Sequence, residues 1–230
     1  MGVSATGPTF SKRPWSFQGQ RGITAAFAPT DLALYRSLLP WAFEMPESPI
    51  VAVTVVDYYD VGLPLTPYSE GYVVMQCRCQ GRTGWYVLTM PVDEETANAG
   101  GRYLGFPKYV ADEIGLVETD GVWSGRVAHE GRTVMQVTFT PKAGAHPVET
   151  SSTDAGLPCF LLVPPAEGPL VNEVVTELSG PRRTVTTAGS ATVEADPDEA
   201  WAGLLPAGGA SLSATFDEMT GDWVLSGKQL

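Results

Sequence analysis

Ile50-Val51-Ala52-Val53-Thr54-Val55-Val56-Asp57-Tyr58-Tyr59-Asp60 is rich in β-branched and aromatic residues and predicts a strand. Downstream, Gly62 to Pro67 reads as a loop. Residues 71–80 and 84–91 read as paired strands joined around Gly81-Arg82-Thr83-Gly84. Upstream, Arg21 through Phe27 predicts another strand. Thr30-Asp31 then offers an N-cap, and Leu32, Tyr35, Leu38 and Leu39 fall at helical spacing until Pro40 stops the run. Asp93 is expected to cap a second short helix, with Glu94 and Glu95 in its first turn and Gly100-Gly101 at its end. Residues 122–128 and 133–140 form a hairpin around His129-Glu130-Gly131-Arg132, and residues 158–164, 170–178 and 183–194 predict further strands. A last short helix is expected from Asp196-Pro197, carrying Trp201, Leu204 and Leu205 on one side, before a terminal hairpin that turns at Thr220-Gly221-Asp222.

Strands outnumber helices, and the helices are scattered. The 230 residues are 43% hydrophobic, enough for a sizeable core, and 25 Gly and 19 Pro punctuate the whole length. The expectation is therefore an α+β single domain, built on a large curved, mostly antiparallel β-sheet or barrel with a few short peripheral helices. It would span residues 21–230 behind an extended N-terminal arm of residues 1–20. There is no repeat and no apolar run of ~18 residues, so no membrane span is expected.

The formal net charge of −12 argues against nucleic-acid binding, which wants a basic footprint. It also means that an anionic substrate needs a local cation inside its pocket. Three cysteines, Cys77, Cys79 and Cys159, make no disulfide framework and suggest a reducing, cytoplasmic setting. Cys77 and Cys79 share one face of their strand. With His129 and His146 they lack zinc-ligand spacing, so no metal is expected.

The chemistry-bearing stretch is Gly101-Arg102-Tyr103-Leu104-Gly105-Phe106-Pro107-Lys108-Tyr109. Lysine is scarce in the chain, and Lys108 directly follows an apolar Gly-Phe-Pro turn. A lysine amine becomes a nucleophile toward carbonyls where its surroundings disfavour the ammonium form, and Leu104, Phe106 and Tyr109 are placed to supply such surroundings. A surface lysine after a turn proline is the plainer alternative.

In this order and spacing the chain resembles the acetoacetate decarboxylase family and its wider superfamily of Schiff-base enzymes. The family's signature runs Gly-Arg, a few residues, then aromatic-Pro-Lys, which here is Gly101-Arg102 to Phe106-Pro107-Lys108. The resemblance implies that Lys108 forms the iminium with a ketone. The family's glutamate, set just after an aromatic residue and ahead of a strand pair, maps onto Glu70 in Pro67-Tyr68-Ser69-Glu70. Its arginine at a strand start before a short helix maps onto Arg21. The match runs from about Arg21 to Trp201, making residues 21–230 an acetoacetate decarboxylase-like domain. Two departures stand out. The second lysine that follows the first in the decarboxylases is Tyr109 here, and a second acidic residue falls near apolar Val55, with Asp57 and Asp60 the nearest carboxylates.

The implied activity is that of a Schiff-base lyase on a small-molecule oxo acid, without metal or organic cofactor. It would proceed by aldol condensation with dehydration, or by decarboxylation, in a specialised biosynthetic pathway. Lys108 would be the nucleophile, Glu70 the proton carrier and Arg21 the carboxylate clamp, with Tyr109, Phe106, Tyr68 and Met90 as substrate-binding residues. Two rivals remain: a non-catalytic ligand-binding barrel, and a cyclase or isomerase that uses Glu70 as its base. A homo-oligomer is expected, since many short strands leave edges that need covering.

Overall fold

The computed structural model describes residues 15–154, 156–163 and 170–230. Its strands are β1 (Ser16–Phe27), β2 (Val51–Val61), β3 (Tyr68–Cys79), β4 (Arg82–Val92), β5 (Lys108–Val110), β6 (Glu113–Thr119) and β7 (Val122–His129). They continue with β8 (Arg132–Pro141), β9 (Val148–Ser152), β10 (Cys159–Val163), β11 (Leu170–Leu178), β12 (Arg182–Ala195) and β13 (Ser213–Gln229). Two helices, α1 (Leu32–Leu38) and α2 (Glu95–Leu104), lie between them. All 13 strands form one sheet, in the main order β1-β2-β3-β4-β10-β11-β13-β12-β8-β7-β6. Pairing is antiparallel except for β4–β5 and β4–β10.

A second pairing, β1 with β13, bends one end of this sheet into a closed ring. Residues 223–229 of β13 pair with β11, whereas residues 214–220 pair with β12. The strand therefore changes partner at Gly221, whose φ of 131° lies in the region that favours glycine. From there β12, β8, β7 and β6 continue as a second layer that packs across β1–β3. The residues between the layers are the main core, with Ile23, Val53, Val55, Val73, Met75, Val127, Met135 and Val137 at its centre. The opposite faces of β1–β3 look into the ring. Period-two alternation thus divides these strands between a packed core and an enclosed space.

Several expectations shift. The first strand begins at Ser16, five residues ahead of Arg21, because its register runs on against both β2 and β13. The proposed arm over residues 1–20 otherwise lies mostly outside the described residues. α2 does not stop at Gly100-Gly101 but continues to Leu104. Those glycines serve close approach instead: a Cβ at Gly100 would collide with the Trp15 ring, and one at Gly101 would lie 2.4 Å from Lys108 Cδ. The helix around Trp201 is reduced to 3₁₀ turns at Ala202–Leu204 and Ala207–Gly209. The terminal hairpin is one long strand, β13, because partners on both sides keep it extended through Gly221. β5, β6 and β9 were not among the expected strands.

Candidate active site

The segment that ends α2 delivers the lysine. Gly105 adopts a left-handed conformation (φ 100°), and its N–H donates to the Arg102 carbonyl at 3.0 Å. The Phe106 N–H reaches back to the Gly101 carbonyl at 3.0 Å. This paired closure is a Schellman motif, which satisfies the last helical carbonyls and turns the chain sharply. Pro107 prevents the helix from resuming. Lys108 then enters β5 opposite Met90 of β4, with its side chain lying against the bare backbone of Gly101.

Inside the ring, Lys108 Nζ lies 2.6 Å from Glu70 Oε2, and both side chains are more than nine-tenths buried. A buried charge needs a partner, and each of these supplies the other's. The Tyr58 hydroxyl donates to the second carboxylate oxygen, Glu70 Oε1, at 3.0 Å. Burial first, then the Glu70 charge, holds the Tyr58 phenol well above the ordinary tyrosine range, so it remains a donor. Tyr68 stacks on Tyr58 with ring centroids 4.8 Å apart and presents its face to Lys108 Nζ at 5.5 Å. Its phenol is also pushed far up, chiefly by burial.

These groups open on a cavity of about 340 Å³. Its walls follow the alternation of the strands: Gln20 and Thr24 from β1, Ala52, Thr54 and Tyr58 from β2, and Tyr68, Glu70, Tyr72 and Val74 from β3. A bulge in the β3–β4 pairing shifts the phase of β4, so that Trp85 and Val87 face inward and then Met90. Ala97, Gly101, Leu104 and Phe106 from the α2–β5 segment, Cys159, Thr176, Arg182, Trp223, Leu225 and the Trp15 ring complete the lining. Glu70 is the one carboxylate among these residues, and Lys108 and Arg182 the two cations. Burial, then the Glu70 charge, pushes the Cys159 thiol up to about 12, which leaves it un-ionised and a poor nucleophile.

Five of the expected site residues therefore come together: Lys108, Glu70, Phe106, Tyr68 and Met90. Arg21 and Tyr109 do not join them. Each directly follows an inward-facing residue, so the strand turns it to the other side. Arg21 is bound to Asp57 at 3.3 Å and lies over the Trp123 ring at 5.6 Å. Tyr109 packs against His129, with ring centroids 4.7 Å apart. Val55 is likewise in the core, and neither Asp57 nor Asp60 lines the cavity, where β2 presents Thr54 instead. Sequence reasoning missed Tyr58, Gln20, Thr54, Arg182 and three tryptophans. Tyr58 was legible in parity, since it shares a strand face with Thr54. Arg182 needed the β13 partner switch, which has no local signal.

A model of the acetoacetate decarboxylase (ADC) family matches residues 4–219. The chain belongs to that family. It is 31% identical over 107 residues to the acetoacetate decarboxylase of Ralstonia nicotianae, a match covering 46% of this chain and 42% of the relative. The matched part thus spans under half the length of that curated relative. Among solved structures, an acetoacetate decarboxylase superposes with a TM-score of 0.76 at 20% identity, covering 100% of this chain and 95% of that one. The enduracididine biosynthesis enzyme MppR complexed with pyruvate gives 0.72 at 15% identity, covering 97% and 93%. MppR is also known complexed with the condensation product of pyruvate and imidazole 4-carboxaldehyde. These structural likenesses are likenesses of fold.

Proposed function

We propose that the protein is a Schiff-base-forming lyase that acts on an oxo acid, with Lys108 as the amine. The observation that carries this reading is the enclosed 2.6 Å pair of Lys108 and Glu70. Glu70 accepts a proton from the lysine ammonium. The freed amine adds to the substrate carbonyl carbon, and the carbinolamine oxygen leaves as water with a proton returned by Glu70. The resulting iminium withdraws electrons from the neighbouring carbon. Loss of a proton there gives an enamine, which attacks an aldehyde; the new hydroxyl leaves as water, and hydrolysis of the remaining iminium releases the dehydrated aldol product and the lysine amine. Alternatively, carbon dioxide leaves from a 3-oxo acid, its bonding electrons enter the same iminium, and protonation and hydrolysis of the resulting enamine release the ketone. Tyr58 keeps Glu70 oriented throughout, and the aromatic walls keep bulk water from the intermediate.

Condensation is favoured over decarboxylation for two reasons. The described cavity holds one carboxylate rather than two, and Tyr109 replaces the family's second lysine. The fold neighbour MppR, complexed with pyruvate and with a pyruvate condensation product, points the same way. Cytoplasmic action as a homo-oligomer fits the free cysteines and the exposed strand edges; light scattering of the purified protein tests the assembly.

Proton NMR of pyruvate in D₂O tests the enamine without knowledge of the second substrate. The protein should exchange the methyl protons for deuterium, and Lys108→Ala should not. Absence of exchange above the uncatalysed rate with pyruvate and 2-oxobutanoate, together with no carbon dioxide release from acetoacetate, would overturn the reading.

A further inference from the structure

We propose that Arg182, and not Arg21, reads the substrate carboxylate. The substrate is then an oxo acid with an apolar substituent, its acid group against Arg182. This deepens the Schiff-base reading and rests on it for the position of the carbonyl. Arg182 is the first residue of β12 and lines the same cavity as Lys108. Its neighbour Arg183 points the other way and pairs with exposed Glu149 at 2.7 Å. Arg182 enters where β13 leaves β12 for β11, and the backbone there is close: a Cβ on Gly221 would lie 3.2 Å from Arg182 Cα.

Two observations point to a ligand. The Nε of Arg182 is buried and has no hydrogen-bond partner among the described residues. A buried donor left unpaired is costly, and turning the side chain toward an acceptor that enters the cavity recovers that cost. The charges also require one. Lys108 and Glu70 neutralise each other, so Arg182 leaves the cavity with one positive charge inside a protein of net charge −12. An anion that enters against that outer field finds its only uncompensated described cation there. A guanidinium suits a carboxylate because it offers parallel donors in a fixed plane. Val74, Val87, Met90, Phe106 and Leu225 form an apolar part of the wall beside the polar Gln20, Thr24, Thr54 and Thr176, and 340 Å³ lies within the ~300–1,000 Å³ of sites that take drug-sized ligands. An apolar substituent fits that space.

Trp15, Trp85 and Trp223 line the cavity, so their fluorescence reads binding directly. The unreactive acid 4-phenylbutanoate and its amide would be titrated into wild type, Arg182→Met and Arg182→Lys. Wild type should prefer the acid about tenfold or more, in line with a charge-assisted hydrogen-bonded pair. Arg182→Met should bind both alike, with amide affinity unchanged, and Arg182→Lys should keep part of the preference. A preference retained in Arg182→Met, an equal loss for acid and amide, or no preference in wild type would overturn the assignment. Borohydride trapping with 2-oxo-4-phenylbutanoate and 4-phenyl-2-butanone separates the two readings. Loss of acid selectivity in Arg182→Met upholds Arg182 even if neither carbonyl labels Lys108, a result that would count against the Schiff base alone.

Discussion

Glu70 and Glu173 are both almost completely buried, and each is held by a cation, yet the two regions are built for different ends. Glu173 takes two hydrogen bonds from Arg82, at 2.5 and 3.0 Å, and Arg82 in turn lies over the Phe160 ring at 5.7 Å. A guanidinium does not surrender its proton in a protein, so this pair is fixed in charge as well as in geometry. Glu70 is held instead by a lysine, which can give up a proton, and by a tyrosine, which stays protonated. The first pair does not line the cavity, whereas the second lies in its wall, where the proposed chemistry would take place. Burial of a carboxylate alone therefore says little about function. The ability of its partner to change charge separates a structural pair from a chemical one.

The sharpest break of that comparison is Glu70→Gln. The amide keeps a hydrogen-bonding surface for Tyr58 but cannot take the lysine proton, so turnover should fall by ~10²–10⁴ while the fold remains. Steady-state rates alongside circular dichroism check it. Arg82→Met should do the opposite. It removes both Arg82 hydrogen bonds from the buried Glu173 carboxylate, so the urea midpoint should drop, and replacing both residues by Arg82→Met with Glu173→Leu should recover much of the loss. Pyruvate deuterium exchange should change little in either case.

Alkaline pH should loosen the cavity region. Tyr58, Tyr68 and Cys159 hold their protons in the native state beyond the pH at which the unfolded chain releases them, mainly through burial. The native state then binds more protons than the unfolded one above about pH 9, where an ordinary thiol begins to ionise, so stability falls as pH rises. Urea midpoints at pH 8 and pH 10.5 should show the decline. The smallest effect belongs to Arg21→Ala. Its pair with Asp57 is partly solvated, with 42% of the arginine side chain exposed, so stability should change by no more than ~1 kcal/mol and exchange activity not at all. A large loss of activity would place Arg21 back in the site.

Much of this was legible in the chain. The β-prone run at Ile50–Asp60, the turns expected around Gly81-Arg82-Thr83-Gly84 and His129-Glu130-Gly131-Arg132, and the Asp31 cap each carry local signals; the strand and the cap appear close to where they were expected, and the turns form at Gln80-Gly81 and Glu130-Gly131. Lys108 and Glu70 followed from motif order. The errors came where partners far along the chain decide the matter. Gly100 and Gly101 read as a helix stop, but Trp15 and Lys108 need their bare backbone. Gly221 read as a turn, but β1, β11 and β12 hold it within a strand. Arg21 and Tyr109 were one residue out of phase, and in a strand one residue is the difference between a cavity and the opposite face.

The most direct test of the central claim is borohydride reduction in the presence of pyruvate, followed by intact mass and peptide mapping. The account predicts a single reduced adduct on Lys108 that is absent in Lys108→Ala. Folded wild-type protein that carries no adduct with pyruvate, acetoacetate or a longer 3-oxo acid, or carries it on another lysine, would contradict it.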